Sequence, residues 1–226
     1  RGIDAGFGTE STPLWLAMMT ENLELVKLLI KNGADVNVRG SHEDDGENTP
    51  LYRAAFSVMN GEEQGPELLN MLIEKGADID AIGVDYYENE GTPLWWTAKE
   101  FKDRGNIVEG VELARLLIER GADVNAVGNR FGEQASTPLW WAANAVYNGE
   151  AKGVEMAKLL IEKGADVNAV GKWDDEGTPL WLAARAVKEK KDDAAALVRL
   201  LLSKGATLAP DEKAEWQLYV DEASAL

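Results

Sequence analysis

The chain has 226 residues, 45% of them apolar and 28% charged, enough to bury a core as one large domain or two small ones. A net charge of −17 opposes contact with a phosphate backbone, because that contact depends on Lys and Arg displacing counterions, so nucleic acid is not an expected partner. The absence of cysteine excludes disulfides, thiolate chemistry and cysteine-ligated metal, and apolar runs such as Leu200-Leu201-Leu202 fall far short of the roughly 18 residues that a membrane span requires.

In chain order, the first start signal is Thr12-Pro13-Leu14. A threonine hydroxyl can cap free backbone N–H groups, and proline at the first helical position gives up no hydrogen bond, so a helix is expected from Pro13. Leu25, Leu29 and Ile30 then share one face of a second helix, and Gly33 suits the left-handed residue that ends it. The same pair of signals recurs four times. Thr49 leads to Gly76 through Leu68, Leu72 and Ile73; Thr92 leads to Gly121 through Leu113, Leu117 and Ile118. Thr137 leads to Gly164 through Met156, Leu160 and Ile161, and Thr178 leads to Gly205 through Leu197, Leu201 and Leu202. Small pairs such as Ala54-Ala55, Ala142-Ala143 and Ala183-Ala184 on the first helices allow neighbouring helices to approach closely. Stacked antiparallel helix pairs of this kind form a solenoid. After Pro210, Trp216, Tyr219, Val220 and Ala223 line one face of a last helix, which reads as a cap on the fifth unit.

Thr-Pro-Leu-x-x-Ala-Ala followed by Leu-Leu-Ile-x-x-Gly-Ala-Asp-Val-Asn resembles the ankyrin repeat over roughly residues 2–208. The resemblance implies an all-α ankyrin-repeat solenoid of five helix-turn-helix units with hairpin or loop fingers between them. The expected division is one domain over 1–226, made of a partial finger (1–11), repeats at 12–48, 49–91, 92–136, 137–177 and 178–209, and a capping helix (210–226). The opening letters Ile3-Asp4-Ala5 match Ile79-Asp80-Ala81, as though the chain began inside a preceding finger. With no Met at position 1 and no apolar leader, a processed protein, an excised domain or a trimmed piece is expected.

The units depart from the family length of about 33 residues. Thr-to-Thr spacings are 37, 43, 45 and 41, and the Thr-to-Gly distance grows from 21 in unit one to 27–29 afterwards. Apolar residues at Val58, Phe101, Val146 and Val187 suggest an extra turn on the first helix plus a longer helix–helix loop. The Gly-to-Thr segments of 14–16 residues predict enlarged fingers.

The slot after Thr-Pro-Leu, usually His in the family, holds Trp15, Tyr52, Trp95, Trp140 and Trp181. These predict an aromatic ladder between repeats, with any polar link rebuilt through indole N–H. The next slot holds Leu16, Arg53, Trp96, Trp141 and Leu182. Because it accepts arginine and lies near the concave face in the family, Trp96 and Trp141 can be read either as core or as partly exposed groove residues. In the fingers, Gly40, Gly83, Gly128 and Gly171 recur seven residues after the helix-ending glycine and suggest a need for unusual backbone angles. Beyond them come His42, Tyr86 with Tyr87, Arg130 with Phe131, and Trp173. Segments 39–48, 82–91, 127–136 and 170–177 hold eleven acids against three bases, which fits a basic, aromatic-tolerant partner surface, though the acids can also serve only to solvate packed fingers.

One histidine and no cysteine leave no material for a histidine-based triad or an ordinary zinc site, and no phosphate-binding loop or EF-hand spacing occurs. The expectation is therefore a non-enzymatic, cofactor-free monomer that binds a protein partner. The candidate contacts are Arg53, Tyr86, Tyr87, Trp96, Arg130, Phe131, Trp141 and Trp173. Two alternatives stand beside it: an inhibitor or immunity protein whose acidic fingers occlude a basic active site, and an engineered or architectural scaffold without a natural ligand. The compartment is left open, with the cytoplasm favoured.

Overall fold

The computed structural model describes residues 12–20, 22–42, 46–85, 87–100, 107–130, 132, 134–150, 152–172 and 176–225. Among them are eleven helices. The first helix of each unit is α1 (Pro13–Met19), α3 (Pro50–Met59), α5 (Pro93–Glu100), α7 (Pro138–Asn148) and α9 (Pro179–Lys188). The second is α2 (Leu23–Lys31), α4 (Gly65–Glu74), α6 (Ile107–Glu119), α8 (Gly153–Glu162) and α10 (Ala194–Ser203); α11 (Pro210–Ala225) follows. The expected all-α repeat solenoid is what forms. Each first helix packs on its own second helix, the first four also pack on the first helix of the next unit, and α6, α8 and α10 stack as an outer layer.

Local chemistry sets the helix ends. The hydroxyls of Thr12, Thr49, Thr92, Thr137 and Thr178 each accept from the backbone N–H three residues on, at 3.2–3.3 Å. Gly33, Gly76, Gly121, Gly164 and Gly205 all take left-handed φ between +82° and +100°. The alanine after each donates back across the last turn, as Ala34 N–H does to the Leu29 carbonyl at 3.0 Å. The extra length of the later units lies where the apolar spacing put it: α3 and α9 have ten residues and α7 eleven, against seven in α1. Phe101, also part of that reading, lies outside the described residues.

The fingers are short hairpins. β1 (Gly40–His42) pairs with β2 (Gly46–Asn48), and β6 (Gly171–Lys172) pairs with β7 (Glu176–Gly177). Between them β3 (Gly83–Val84), β4 (Asn89–Gly91) and β5 (Asn129–Arg130) make one antiparallel sheet, so the second and third fingers are hydrogen-bonded to each other. The Lys172 N–H donates to the Ala135 carbonyl at 2.6 Å and joins the third finger to the fourth.

At the other end α11 lies on α9 and α10. Val220 and Ala223 are buried, and Trp216 stands edge-on to Trp181 at 6.1 Å. Glu212, which the apolar pattern of this helix did not single out, is buried too. Its carboxylate accepts from the Thr178 N–H (2.9 Å) and hydroxyl (3.2 Å) and from the Ala209 N–H (2.6 Å), anchoring the helix to the start of the fifth unit. Glu212→Ala leaves these donors unmatched and should cost about 1–3 kcal/mol, read as a lower Tm of the full chain.

A side-chain ladder links the loops after the second helices. Asn37 Oδ1 accepts from the Asp78 N–H at 2.7 Å while its Nδ2 donates to the Gly76 carbonyl at 3.1 Å. Asn125 repeats both bonds to Asp166 and Gly164. Asp80 fills the equivalent place one unit along and accepts from the Asp123 N–H at 3.1 Å, but an ionised carboxylate has no proton to donate to the Gly121 carbonyl. Burial first, and then the charges of Asp123 and Asp78, raise its pKa above the ordinary carboxylate value, against the lowering effect of the Asp123 N–H. A raised folded pKa means that the native chain holds this proton more tightly than the unfolded chain, so its stabilising effect is lost as pH rises through the folded pKa. Asp80→Asn should therefore stabilise the fold at pH 7 by about 0.5–1.5 kcal/mol. Denaturant unfolding across pH should show the gain shrinking as pH falls through the carboxylate range.

Candidate partner-binding surface

The first helices and the fingers lie on the same side of the stack, and the first-slot aromatics join them. Trp15, Trp95 and Trp140 are buried to 2% exposure or less. The indole N–H of Trp95 donates to the Ser136 carbonyl at 2.9 Å, and that of Trp140 to the Gly177 carbonyl at 3.1 Å. In both cases the acceptor is the last residue of the next finger, so in these two units the polar link is rebuilt through the indole.

The recurrent finger glycines have a different cause from the one expected. None of Gly40, Gly83, Gly128 and Gly171 has positive φ. A Cβ on Gly40, Gly128 or Gly171 would lie 2.3 Å from ring atoms of Trp15, Trp95 or Trp140, and one on Gly83 would lie 2.5 Å from Asn48 Oδ1 and 2.7 Å from the Tyr52 ring. Glycine is needed there because an aromatic ring occupies the volume of a side chain.

The second slot is mostly closed. Trp96 and Trp141 are 5% and 6% exposed, which corrects the reading of these two as partly exposed groove residues. Trp96 stands perpendicular to Tyr52 (5.5 Å) and to Trp95 (5.0 Å); Trp141 does the same with Trp95 (6.0 Å) and Trp140 (5.1 Å). The paired tryptophans thus extend one edge-to-face chain through units two, three and four, each such contact worth about 0.5–1.5 kcal/mol beyond area burial. Arginine at this slot does not imply exposure of the tryptophans, because the slot lies at the edge of the layer. Arg53 is half-buried, Leu16 is exposed and Leu182 is buried.

What remains open on this side is a set of cations laid over aromatic rings. The Arg53 guanidinium stands 5.4 Å from the Phe56 ring centre, and Lys99 Nζ 4.8 Å from that of Trp96. Arg185 lies 4.6 Å from both Tyr147 and Trp181 and donates to the Tyr147 hydroxyl at 3.2 Å. That hydroxyl donates in turn to Glu189 at 2.9 Å; burial first and the Glu189 bond second raise its pKa, against the pull of Arg185. Phe56, Lys99, Asn144 and Arg185, none of them fully buried, all stand seven residues after their threonines. That offset was available in the sequence, but it varies in residue type and so carried no pattern.

Of the finger candidates, Tyr87 is 63% exposed. Arg130 lies in β5 opposite Asn89. Tyr86, Phe131 and Trp173 lie outside the described residues. Among the described residues no group of three His, Asp or Glu side chains is placed to hold a metal, and no helix is long and apolar enough to cross a membrane.

A family model described as ankyrin repeats (3 copies) matches residues 2–83, 62–170 and 107–212. No curated protein matches the chain.

The ring-on-glycine contact has a direct test. Gly128→Ala should destabilise the chain by about 1–3 kcal/mol through overpacking. Pairing it with Trp95→Leu in a double-mutant cycle should give a smaller loss than the two single variants together.

Proposed function

Because the chain belongs to the ankyrin-repeat family, whose repeats generally mediate contacts between proteins, we propose that it is a non-catalytic binding module that holds a protein partner across its first helices and fingers. The observation that carries this reading is the contrast on one side of the stack. The first-slot rings are closed into the core, while Arg53, Phe56 and Tyr87 keep contact with solvent beside them. Aromatic and arginine side chains at the centre of a contact surface are the groups that dominate interface energies. In the sequence, Phe131 and Trp173 stand six and five residues before Thr137 and Thr178, as Tyr86 and Tyr87 do before Thr92, which makes them the matching candidates in the later fingers. The excess of acids in the finger segments suits a basic region of the partner, and the same feature supports the second reading, an inhibitor that covers a basic active site.

Affinity capture from source lysate followed by binding assays with the captured protein tests this. Tyr87→Ala, Phe131→Ala and Trp173→Ala should each weaken binding by about 2 kcal/mol or more with little change in Tm. Trp95→Ala and Trp140→Ala should chiefly lower Tm. Full affinity in all three finger variants would move the interface elsewhere, and loss of binding on raising salt would favour the basic partner.

A further inference from the structure

Two donors, one on α3 and one on the adjacent α5, have no acceptor among the described residues. Arg53 Nε is buried without one, and so is the indole Nε1 of Trp96. They flank the same two rings. A shallow recess between α1 and α3 is lined by Trp15, Asn48, Tyr52, Arg53 and Phe56. A second, more apolar one between α3 and α5 is lined by Tyr52, Ala55, Phe56, Met59, Pro93, Trp96 and Glu100. A buried donor left unmatched is costly, and two of them beside one surface ask for a ligand that brings acceptors.

The charge around them favours an anion. The five first helices carry Arg53, Lys99, Arg185 and Lys188 against the single acid Glu100, in a chain whose net charge is −17. Glu100, at the rim of the second recess, is paired with Lys99 at 3.0 Å, and Lys188 lies 3.6 Å from Glu215. Arg53 has no ion pair with any described residue, and Phe56 beneath its guanidinium shields one face from water. A half-buried arginine backed by a ring is suited to a carboxylate, which can take its Nε–H and a terminal N–H together.

We propose that the α1–α3–α5 surface docks a partner segment in which an acidic side chain neighbours apolar ones. The carboxylate binds Arg53, the Trp96 N–H donates to a backbone carbonyl of the segment, and the apolar side chains lie against Met59, Phe56 and Pro93. This rests on the partner-binding reading and gives it a chemistry at one end of the surface, opposite in sign to that asked for by the acidic fingers.

The test uses three capped pentapeptides, Leu-Glu-Leu-Glu-Leu and its glutamine and lysine counterparts, titrated into the full chain by calorimetry and followed by NMR at the Trp96 indole N–H. The glutamate peptide should bind at least tenfold more tightly than the glutamine one and shift the indole resonance. Arg53→Gln should abolish that preference, Arg53→Lys should retain part of it, and Trp96→Phe should weaken all peptides without changing their ratio. A preference ratio is insensitive to a general loss of stability, and Tm values for each variant check that they fold. Equal binding of glutamate and glutamine peptides, a preference for lysine, a preference that survives Arg53→Gln, or no binding would overturn the proposal. A captured partner whose affinity is untouched by Arg53→Gln but lost with the finger variants would overturn it too, while leaving the partner-binding reading standing.

Discussion

A large aromatic ring seated on a glycine of the neighbouring finger is the contact on which the arrangement of this protein depends. The ring comes from a first helix, the glycine from the finger that follows, and a methyl group on that glycine would stand within 2.3 Å of the ring in three of the four fingers. Where the indole N–H also reaches the last carbonyl of the finger, as from Trp95 and Trp140, the contact is directional as well as apolar. Burying such a ring is worth roughly 1.5–3 kcal/mol, whereas an isolated two-stranded hairpin is marginally stable at best. The fingers are therefore held by the helices more than by their own two or three paired residues.

The second tryptophan of units three and four follows from the first. Once Trp95 and Trp140 are pinned under their fingers, the space between adjacent first helices is bounded by their edges, and Trp96 and Trp141 fill it edge-on. Unit boundaries in the middle of the stack are thus sealed by aromatic contacts in addition to the aliphatic packing of a helical repeat. The ends use other means. Glu212 supplies a buried carboxylate to the start of the fifth unit, and Trp216 meets Trp181, so the last helix substitutes one polar anchor and one ring for a following repeat.

Charge is distributed unevenly over this frame. The finger segments carry eleven acids against three bases, while the first helices beneath them carry more bases than acids. With a screening length of about 8–10 Å at ordinary salt, neighbouring regions of opposite sign act separately on a partner. A cation resting on a ring keeps its charge while losing part of its hydration, which makes Arg53 and Arg185 better able to discriminate among ligands than freely solvated lysines.

The sequence by itself determined the repeat, the helix starts at the five threonines, the left-handed glycines, and the extra turn of the later first helices. These are local consequences of capping, backbone conformation and apolar period, which each stretch expresses without reference to its neighbours. It also marked the first-slot aromatics and the apolar face of the last helix. Only the tertiary structure decided the rest. Gly40, Gly83, Gly128 and Gly171 answer to rings that lie 25 to 33 residues earlier in the chain, which no local pattern encodes, and backbone torsion is not their cause. Arg53 left Trp96 and Trp141 open to two readings and burial decided for the core one, because equivalent slots share a backbone position but border different neighbours. Nothing in the sequence marked Glu212 or Asp80, because the Thr178 and Asp123 N–H groups that face them come near only through the stacking of units.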